Sequence, residues 1–347
     1  MQHATPSRDA GTAKHALPPT RTAGRVSYGL EKRSTAPAVR TVELAKRYGT
    51  ITAVAGLTMD VPRGEVFGFL GPNGAGKTTS VKLLVGLARP TSGMAEVLGA
   101  PIGDRLTRRR IGYLPELFRY QDWLTAREVL ALHCRLAGIG RSSWPGEIDE
   151  SLHTVGLASR ADDRVGTFSK GMQQRLGLGV ALLGQPEVVF LDEPTSALDP
   201  IGRHDVREIL RGLKQRGSTV FLNSHLLSEV EQVCDRVAIV HHGRVIALGT
   251  LGDVLGTTTS VRIRATEVNA VAWERVAALG AVEQSDQYFT VRGVTEDIVP
   301  VLVDALVGCG ARIYGVELQH YSLEERFLQL LEGHADAIAD PRGSDPG

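Results

Sequence analysis

Four places in this chain have the residue types and the spacing to bind a phosphorylated ligand or act on its phosphates. The first is Gly71-Pro72-Asn73-Gly74-Ala75-Gly76-Lys77-Thr78-Thr79, whose Gly71-x4-Gly76-Lys77-Thr78 spacing is that of a phosphate-binding loop. Glycines let a backbone approach a ligand with no Cβ in the way. Successive N–H groups can then face one anion, with the positive end of a helix dipole behind them. Lys77 would reach the β- and γ-phosphates of a nucleoside triphosphate, and the Thr78 hydroxyl would hold Mg²⁺. The second place is Asp192-Glu193. Asp192 suits a direct or outer partner of Mg²⁺, and Glu193 can accept a proton from an attacking water. The third is His225, able to hold the γ-phosphate and to orient that water and Glu193. The fourth is Tyr48, either a half-buried turn aromatic or a face on which an adenine ring stacks.

Each of these needs an element to position it. Val66-Phe67-Gly68-Phe69-Leu70 reads as a buried strand that breaks into the glycine loop. Lys77 then opens an amphipathic helix through Val81, Leu84 and Val85, which is expected to end at Ala88-Arg89-Pro90 because proline forbids continuation. Val188-Val189-Phe190-Leu191 is a continuous apolar run, as a strand buried on both faces would be, and it ends in Asp192-Glu193. Residues 219–222 repeat that reading ahead of His225. Strands with polar residues at their ends place the three groups at the carboxyl edge of a parallel sheet, where open α/β folds bind ligands.

The remaining pattern frames this core. Residues 39–44 alternate as a strand, Lys46-Arg47-Tyr48-Gly49 reads as a turn, and 50–61 as further short strands. Strands follow at 94–98 and from Ile111, the latter stopped by Pro115. Val129, Leu130, Leu132 and Leu136, then Ile148, Leu152 and Val155, recur at helical spacing with a break over 138–146, a helical insertion in an α/β domain. After Gly256 the reading is strand (261–264), helix (271–279), strands at Val282 and 288–291, helix (298–307), strand (312–318) and a last amphipathic helix (323–331). That β-α-β-β-α-β order, with an added helix, is ferredoxin-like. The expected fold is therefore α/β with a small α+β domain behind it. The expected boundaries are an N-terminal extension at 1–38, a main domain at 39–255 with its helical part at about 117–168, an accessory domain at 256–334 and a polar tail at 335–347.

Composition narrows the partners. Apolar and charged fractions are those of a soluble globular protein, with 39 Lys and Arg against 39 Asp and Glu. Seven of those basic and two of those acidic residues lie in 1–40, so the rest of the chain holds 32 basic against 37 acidic. A neutral whole with an acidic body argues against nucleic acid as the main partner. Cys134, Cys234 and Cys309 form no C-x-x-C pair and read as packing residues of a reducing compartment. No apolar run approaches the roughly 18 residues of a membrane span, so work at a membrane would need spans from another chain. Residues 1–38, rich in Pro, Thr, Ala, Gly and Arg, read as disordered.

A phosphate loop leaves kinases, GTPases and many ATPases open, but the Asn-Lys-x-Asp base reader of a GTPase is absent from the sequence. Phe168-Ser169-Lys170-Gly171-Met172-Gln173-Gln174-Arg175, followed by Leu191-Asp192-Glu193-Pro194-Thr195-Ser196-Ala197-Leu198-Asp199-Pro200 and by Asn223-Ser224-His225, resembles the ATP-binding-cassette (ABC) ATPases over about residues 40 to 255. On that resemblance Gly71 to Thr78 matches the Walker A loop, residues 188–193 the Walker B strand, Ser196 to Asp199 the D-loop, and His225 the switch histidine. Tyr48 takes the place of the adenine-stacking aromatic. Two positions depart from the family pattern. The signature Leu-Ser-Gly-Gly-Gln is Phe168-Ser169-Lys170-Gly171-Met172 here, keeping the serine and glycine that grip the γ-phosphate. Glu116 stands where a glutamine is usual, able to bind Mg²⁺ or water but without an amide donor.

The resemblance implies ATP and Mg²⁺ as ligands and a head-to-tail pair of cassettes, with Ser169 and Gly171 of one facing the phosphate loop of the other. One cassette per chain then means a homodimer or a similar second chain. The helical insertion would dock a transmembrane permease subunit, putting the protein at the cytoplasmic face of a membrane. Leu323-Glu324-Glu325-Arg326-Phe327 looks like the tail of ATPase subunits that serve exporters of drugs, lipids, polysaccharides or antibiotics. Two alternatives use the same site: a soluble ABC ATPase on a non-membrane partner, and a nucleotide switch without useful turnover. The first usually carries two cassettes or a long coiled-coil insertion, and intact Glu193 and His225 speak against the second.

Overall fold

The computed structural model describes residues 36–256, 259–285, 288–320 and 322–339. The expected N-terminal extension lies almost wholly outside them. In chain order, β1 (Val39–Tyr48) and β2 (Ile51–Val61) form a hairpin, β3 (Val66–Leu70) leads through the glycine loop into α1 (Lys77–Leu84), and β4 (Ser92–Val97) and β5 (Ala100–Pro101) follow. Next come α2 (Arg105–Arg108), β6 (Ile111–Leu114), α3 (Ala126–Ala137), α4 (Trp144–Thr154), α5 (Lys170–Leu182), β7 (Val188–Asp192), α6 (Pro200–Gln215) and β8 (Thr219–Asn223). Then α7 (Leu227–Val233), β9 (Arg236–His241), β10 (Arg244–Thr250) and α8 (Leu251–Leu255) close the first part. The second part is β11 (Thr259–Thr266), α9 (Ala270–Ala277), β12 (Ala281–Ser285), β13 (Tyr288–Val294), α10 (Ile298–Val307), β14 (Arg312–His320) and α11 (Leu323–Ala339).

The strands make three sheets among the described residues. The central one runs β10-β9-β3-β8-β7-β6, parallel except for the antiparallel edge strand β10. Every residue of β3, β7 and β8 is buried. Because successive side chains point to opposite faces, these strands feed two cores at once. Phe67, Phe69, Phe190 and Phe221 go to the side of the antiparallel sheet β2-β1-β4-β5 and of α1, with ring centroids 5.2–5.5 Å apart. Val66, Leu70, Val189, Leu191, Val220 and Leu222 go to the side of the helices. An unbroken apolar run is what two covered faces require.

Three local expectations are corrected. Lys46, Arg47 and Tyr48 do not turn; they finish β1, and the turn is Gly49-Thr50. Lys46 Nζ donates to Arg89 O at 2.8 Å and the Arg47 N–H to Thr91 Oγ1 at 3.0 Å, so the segment before β4 holds this end of β1 straight. The loop helix stops at Leu84, short of Pro90, because Gly86 takes φ 73°. The Gly86 N–H then bonds Leu83 O and the Leu87 N–H bonds Lys82 O, the paired closure of a glycine C-cap. Finally, α11 runs to Ala339, past the point where a polar tail is expected.

The β11–β14 sheet has the order β12-β13-β11-β14 with all neighbours antiparallel, which is the ferredoxin-like arrangement. Its own apolar centre, including Val261, Ile263, Val291, Leu302 and Leu306, lies between the sheet and α9 and α10.

Candidate nucleotide-binding site

The ends of β3, β7 and β8 lie side by side, so the glycine loop, Asp192-Glu193 and His225 meet at one sheet edge. A cleft of about 560 Å³ opens there, lined by residues including Asn73, Gly76, Lys77, Thr78, Glu116, Glu193 and His225. Gly74 and Thr79 line it too, as do Ile51 and Thr52 of β2. Gly76 has φ 96°, and a Cβ there would stand 2.1 Å from Ala53 O; one on Gly71 would stand 2.3 Å from Val240 O. Both glycines are thus required by backbone pressed against the loop, and the Gly243 N–H donates to Ala75 O at 3.0 Å from the same side. Pro72 and Ala75 shape the loop between them, Ala75 buried in the core beneath.

Lys77 is 8% exposed, and its Nζ donates to Gly71 O at 2.7 Å and to Pro72 O at 3.3 Å. Burial lowers its pKa, and the carboxylates of Glu193, Asp192 and Glu116 act against that. Asp192 is wholly buried. Its Oδ1 accepts from Asn223 Nδ2, the residue paired with it across β7 and β8, while its Oδ2 and Asn223 Oδ1 are buried with no protein partner. Burial raises the Asp192 pKa; the Asn223 bond opposes this, Glu116 and Glu193 add to it, and Lys77 opposes it.

Glu193 has φ 54°, left-handed backbone that a non-glycine residue rarely adopts. Hydrogen bonds to its backbone hold it there. Its N–H donates to Asn223 O at 2.9 Å, and its carbonyl accepts from Gln174 Nε2 at 3.2 Å and Ser196 Oγ at 3.1 Å. The result aims the carboxylate into the cleft, with Oε2 2.7 Å from His225 Nδ1. Strained backbone held by its surroundings is common at reacting sites. The sequence assigns Asn223, Gln174 and Ser196 no contact with Asp192 or Glu193. Each sits within or beside a motif stretch, but only strand pairing and helix packing bring them to Glu193 and Asp192.

Mg²⁺ fits this donor set. Among the described residues no group of three or more His, Cys, Asp or Glu converges as a closed cage. Mg²⁺ takes one or two protein oxygens and fills its octahedron with phosphates and water. The orphaned Asp192 Oδ2 and the hydroxyl of Thr78, which lines the cleft, suit that need.

The other expected residues stand further off. Tyr48 is half exposed at the end of β1, paired with Ile51, which lines the cleft; the Lys46 ammonium lies 4.8 Å from its ring centre. Glu116 is exposed on the loop after β6 and faces the cleft. Ser169 and Gly171 do not reach the phosphate loop. They belong to a separate recess shared with Ala197, Leu198 and Asp199. Ser169 Oγ there accepts the Met172 N–H at 3.2 Å as N-cap of α5, and Asp199 Oδ1 accepts the Gly202 N–H at 2.8 Å as N-cap of α6.

The comparisons agree with this geometry. A family model described as ABC transporter matches residues 54–196. An uncharacterized ABC transporter ATP-binding protein of Synechocystis sp. is 41% identical over 310 residues, 84% of this chain and 84% of that protein. The chain belongs to the ABC transporter ATP-binding family. The linearmycin resistance ATP-binding protein LnrL of Bacillus subtilis is 33% identical over 298 residues, 83% of this chain and 96% of that protein. The dimeric structure of an ATP-binding cassette in a post-hydrolysis state with ADP and Pi superposes with a TM-score of 0.57 at 25% identity, covering 62% of this chain and 99% of that one. This cassette is thus an ATPase, the ATP-binding and hydrolysing subunit of an ABC transporter. No helix among its described residues is long and apolar enough to cross a membrane.

Proposed function

We propose that this cassette drives export through a separate transmembrane permease at the cytoplasmic face of the membrane. The observation that carries the hydrolytic part is the meeting of Lys77, Asp192, Glu193 and His225 at one sheet edge around the glycine loop. Thr78 and Asp192 would hold Mg²⁺, with Glu116 on a water nearby, and the ion would supply positive charge to neutralise the phosphates. The loop N–H groups cradle the phosphates. Lys77 trades its bonds to Gly71 and Pro72 carbonyls for phosphate oxygens, and Tyr48 stacks on the adenine. Glu193 takes a proton from the attacking water, whose oxygen joins the γ-phosphorus as the β–γ bridging bond breaks, giving ADP and phosphate. His225 holds the Glu193 carboxylate in that pose.

Ser169 and Gly171 serve a second copy. Their distance from the phosphate loop of their own chain supports a head-to-tail dimer, in which each recess covers the ATP of the partner. ATP then closes the pair and hydrolysis reopens it, a two-state element biased by a ligand. Export is favoured by likeness to LnrL, named for linearmycin resistance, and by the Leu323-Glu324-Glu325-Arg326-Phe327 stretch. Glu193→Gln tests the reading: it should retain ATP binding, cut phosphate release and accumulate a closed dimer with Mg²⁺ and ATP in sizing chromatography. Near wild-type phosphate release by that variant would remove Glu193 as the base.

A further inference from the structure

The stretch from Ser322 to Phe327 stays out of the cleft, yet it reaches the segment that carries His225. After α8 the chain leaves the cassette, builds the β11–β14 sheet on its own apolar centre, and then returns. The return point is set locally. The Glu325 N–H donates to Ser322 Oγ at 3.2 Å and the Ser322 N–H to Glu325 Oε2 at 2.9 Å, a capping box that starts α11 at Leu323. Leu323 is fully buried, and it belongs to the cassette's apolar cluster with Val230 of α7 and Val254 of α8, not to the centre of the β11–β14 sheet. Phe327 and Leu330, one and two turns on, pack against the same cluster. Two polar contacts accompany this seat. Arg326 Nε donates to Val254 O at 3.0 Å in the last turn of α8, and the Leu323 N–H points to Glu231 Oε2 of α7 at 3.4 Å.

α7 needs such help. It spans seven residues, begins two residues after His225, and has no side-chain cap at Leu226. A helix this short does not hold itself in water, so packing must fix it. On one side Arg207 of α6 binds both oxygens of Glu229, at 2.9 and 2.7 Å. On the other side stands α11. The His225 side chain is 56% exposed, so the backbone segment ahead of α7, rather than burial of the ring, decides where the imidazole sits.

We infer that Leu323, Arg326 and Phe327 are positioning residues for ATP hydrolysis: α11 seats α7 so that His225 Nδ1 remains on Glu193 Oε2. The inference rests on the roles proposed above for Glu193 and His225. The same return ties the β11–β14 domain to the switch histidine, so the accessory domain and the reacting site share one strut.

The experiment uses the full-length chain carrying Arg326→Ala or Arg326→Lys, each alone and combined with His225→Ala. Turnover is read as kcat and KM for ATP, and backbone hydrogen exchange is followed over residues 226–233. Arg326→Ala should lower kcat on the order of tenfold with KM within about twofold, since a misplaced catalytic group loses up to ~10²-fold in rate. Arg326→Lys, which can still donate to Val254 O, should recover most of it. In the His225→Ala background the extra loss should vanish, and exchange should quicken over 226–233 but not in β3 or β7. The same fractional loss with and without His225, or unchanged exchange over 226–233, overturns the inference. Quickened exchange together with full turnover in His225→Ala leaves the seat of α7 standing and removes the role given to His225. Should Arg326→Ala fail to fold, Glu231→Ala, which removes the α7 acceptor of the Leu323 N–H, is judged by the same criteria.

Discussion

At the phosphate cleft Asp192 is wholly buried with one oxygen unpartnered, Lys77 is nearly buried beside it, and Glu193 holds a left-handed backbone. At the recess of Ser169 and Gly171 nothing is under such tension. Ser169 Oγ has the Met172 N–H, Asp199 has the Gly202 N–H, and a Cβ on Gly171 would meet Leu198 Cδ2 at an ordinary 3.4 Å. The two surfaces handle the same ligand in the proposed dimer, but they are built to different ends. The cleft is preorganised: its polar groups are desolvated before ATP arrives, which strengthens their fields on the phosphates. The recess is a relaxed helix start with its capping already satisfied, and in the proposed dimer it would contribute once a second copy brings it to the nucleotide. Stability and function should therefore oppose each other at the cleft and separate cleanly at the recess.

The largest effect expected from this contrast is at the base. Glu193→Gln should lower turnover by about 10² to 10⁴-fold, with ATP affinity retained, measured by phosphate release and equilibrium binding. Lys77→Ala comes next: it should weaken ATP binding by at least about tenfold, as loss of a charge-assisted bond of about 1.5–3 kcal/mol implies, read by titration calorimetry. Ser169→Asp sharpens the contrast on the other surface. Aspartate is as good an N-cap as serine, so the melting temperature should hold, while a carboxylate against the partner's γ-phosphate should abolish ATP-driven dimerisation in light scattering.

Asp192→Asn probes the opposition at the cleft. The folded-state pKa of Asp192 is raised mainly by burial, so its charged form is disfavoured in the native protein. Between the ordinary carboxylate pKa and that raised value the native state binds more protons than the unfolded one, so ligand-free stability falls as pH rises through that window. Asp192→Asn should flatten that part of the pH dependence and raise the ligand-free melting temperature at pH 8, while Mg²⁺ ceases to strengthen ATP binding. A lower melting temperature would mean that the carboxylate stabilises the fold. The smallest effect is at Gly171, which lies in α5. Gly171→Ala, in the first turn of the helix, should leave denaturant unfolding within about 0.5 kcal/mol, yet lose turnover because the methyl group intrudes on the partner's ATP.

Much of the cleft was legible in the sequence because its parts are local. The glycine loop is set by the spacing from Gly71 to Thr78, and the Walker B strand by an apolar run ending in Asp192-Glu193. Both patterns follow from backbone geometry within a few residues. The misread stretches were those whose ends are fixed from elsewhere. Lys46 and Arg47 read as part of a turn because the groups that hold them straight, Arg89 and Thr91, are more than forty positions away. The sequence puts the end of α1 at Ala88-Arg89-Pro90, but a nearer glycine with positive φ, Gly86, closes the helix first.

By itself the sequence determined the chemistry on offer and the strand ends that would carry it, since the period of apolar residues and the turn-forming glycines act through near neighbours. Only the tertiary structure decided which groups share that chemistry. Asn223 meets Asp192 because β7 and β8 are neighbours in parallel register. Gln174 reaches the Glu193 carbonyl through the packing of α5, and Leu323 enters the cassette core after a whole domain has intervened. Those meetings depend on how sheets and helices close over long stretches of chain, and no local pattern carries that information.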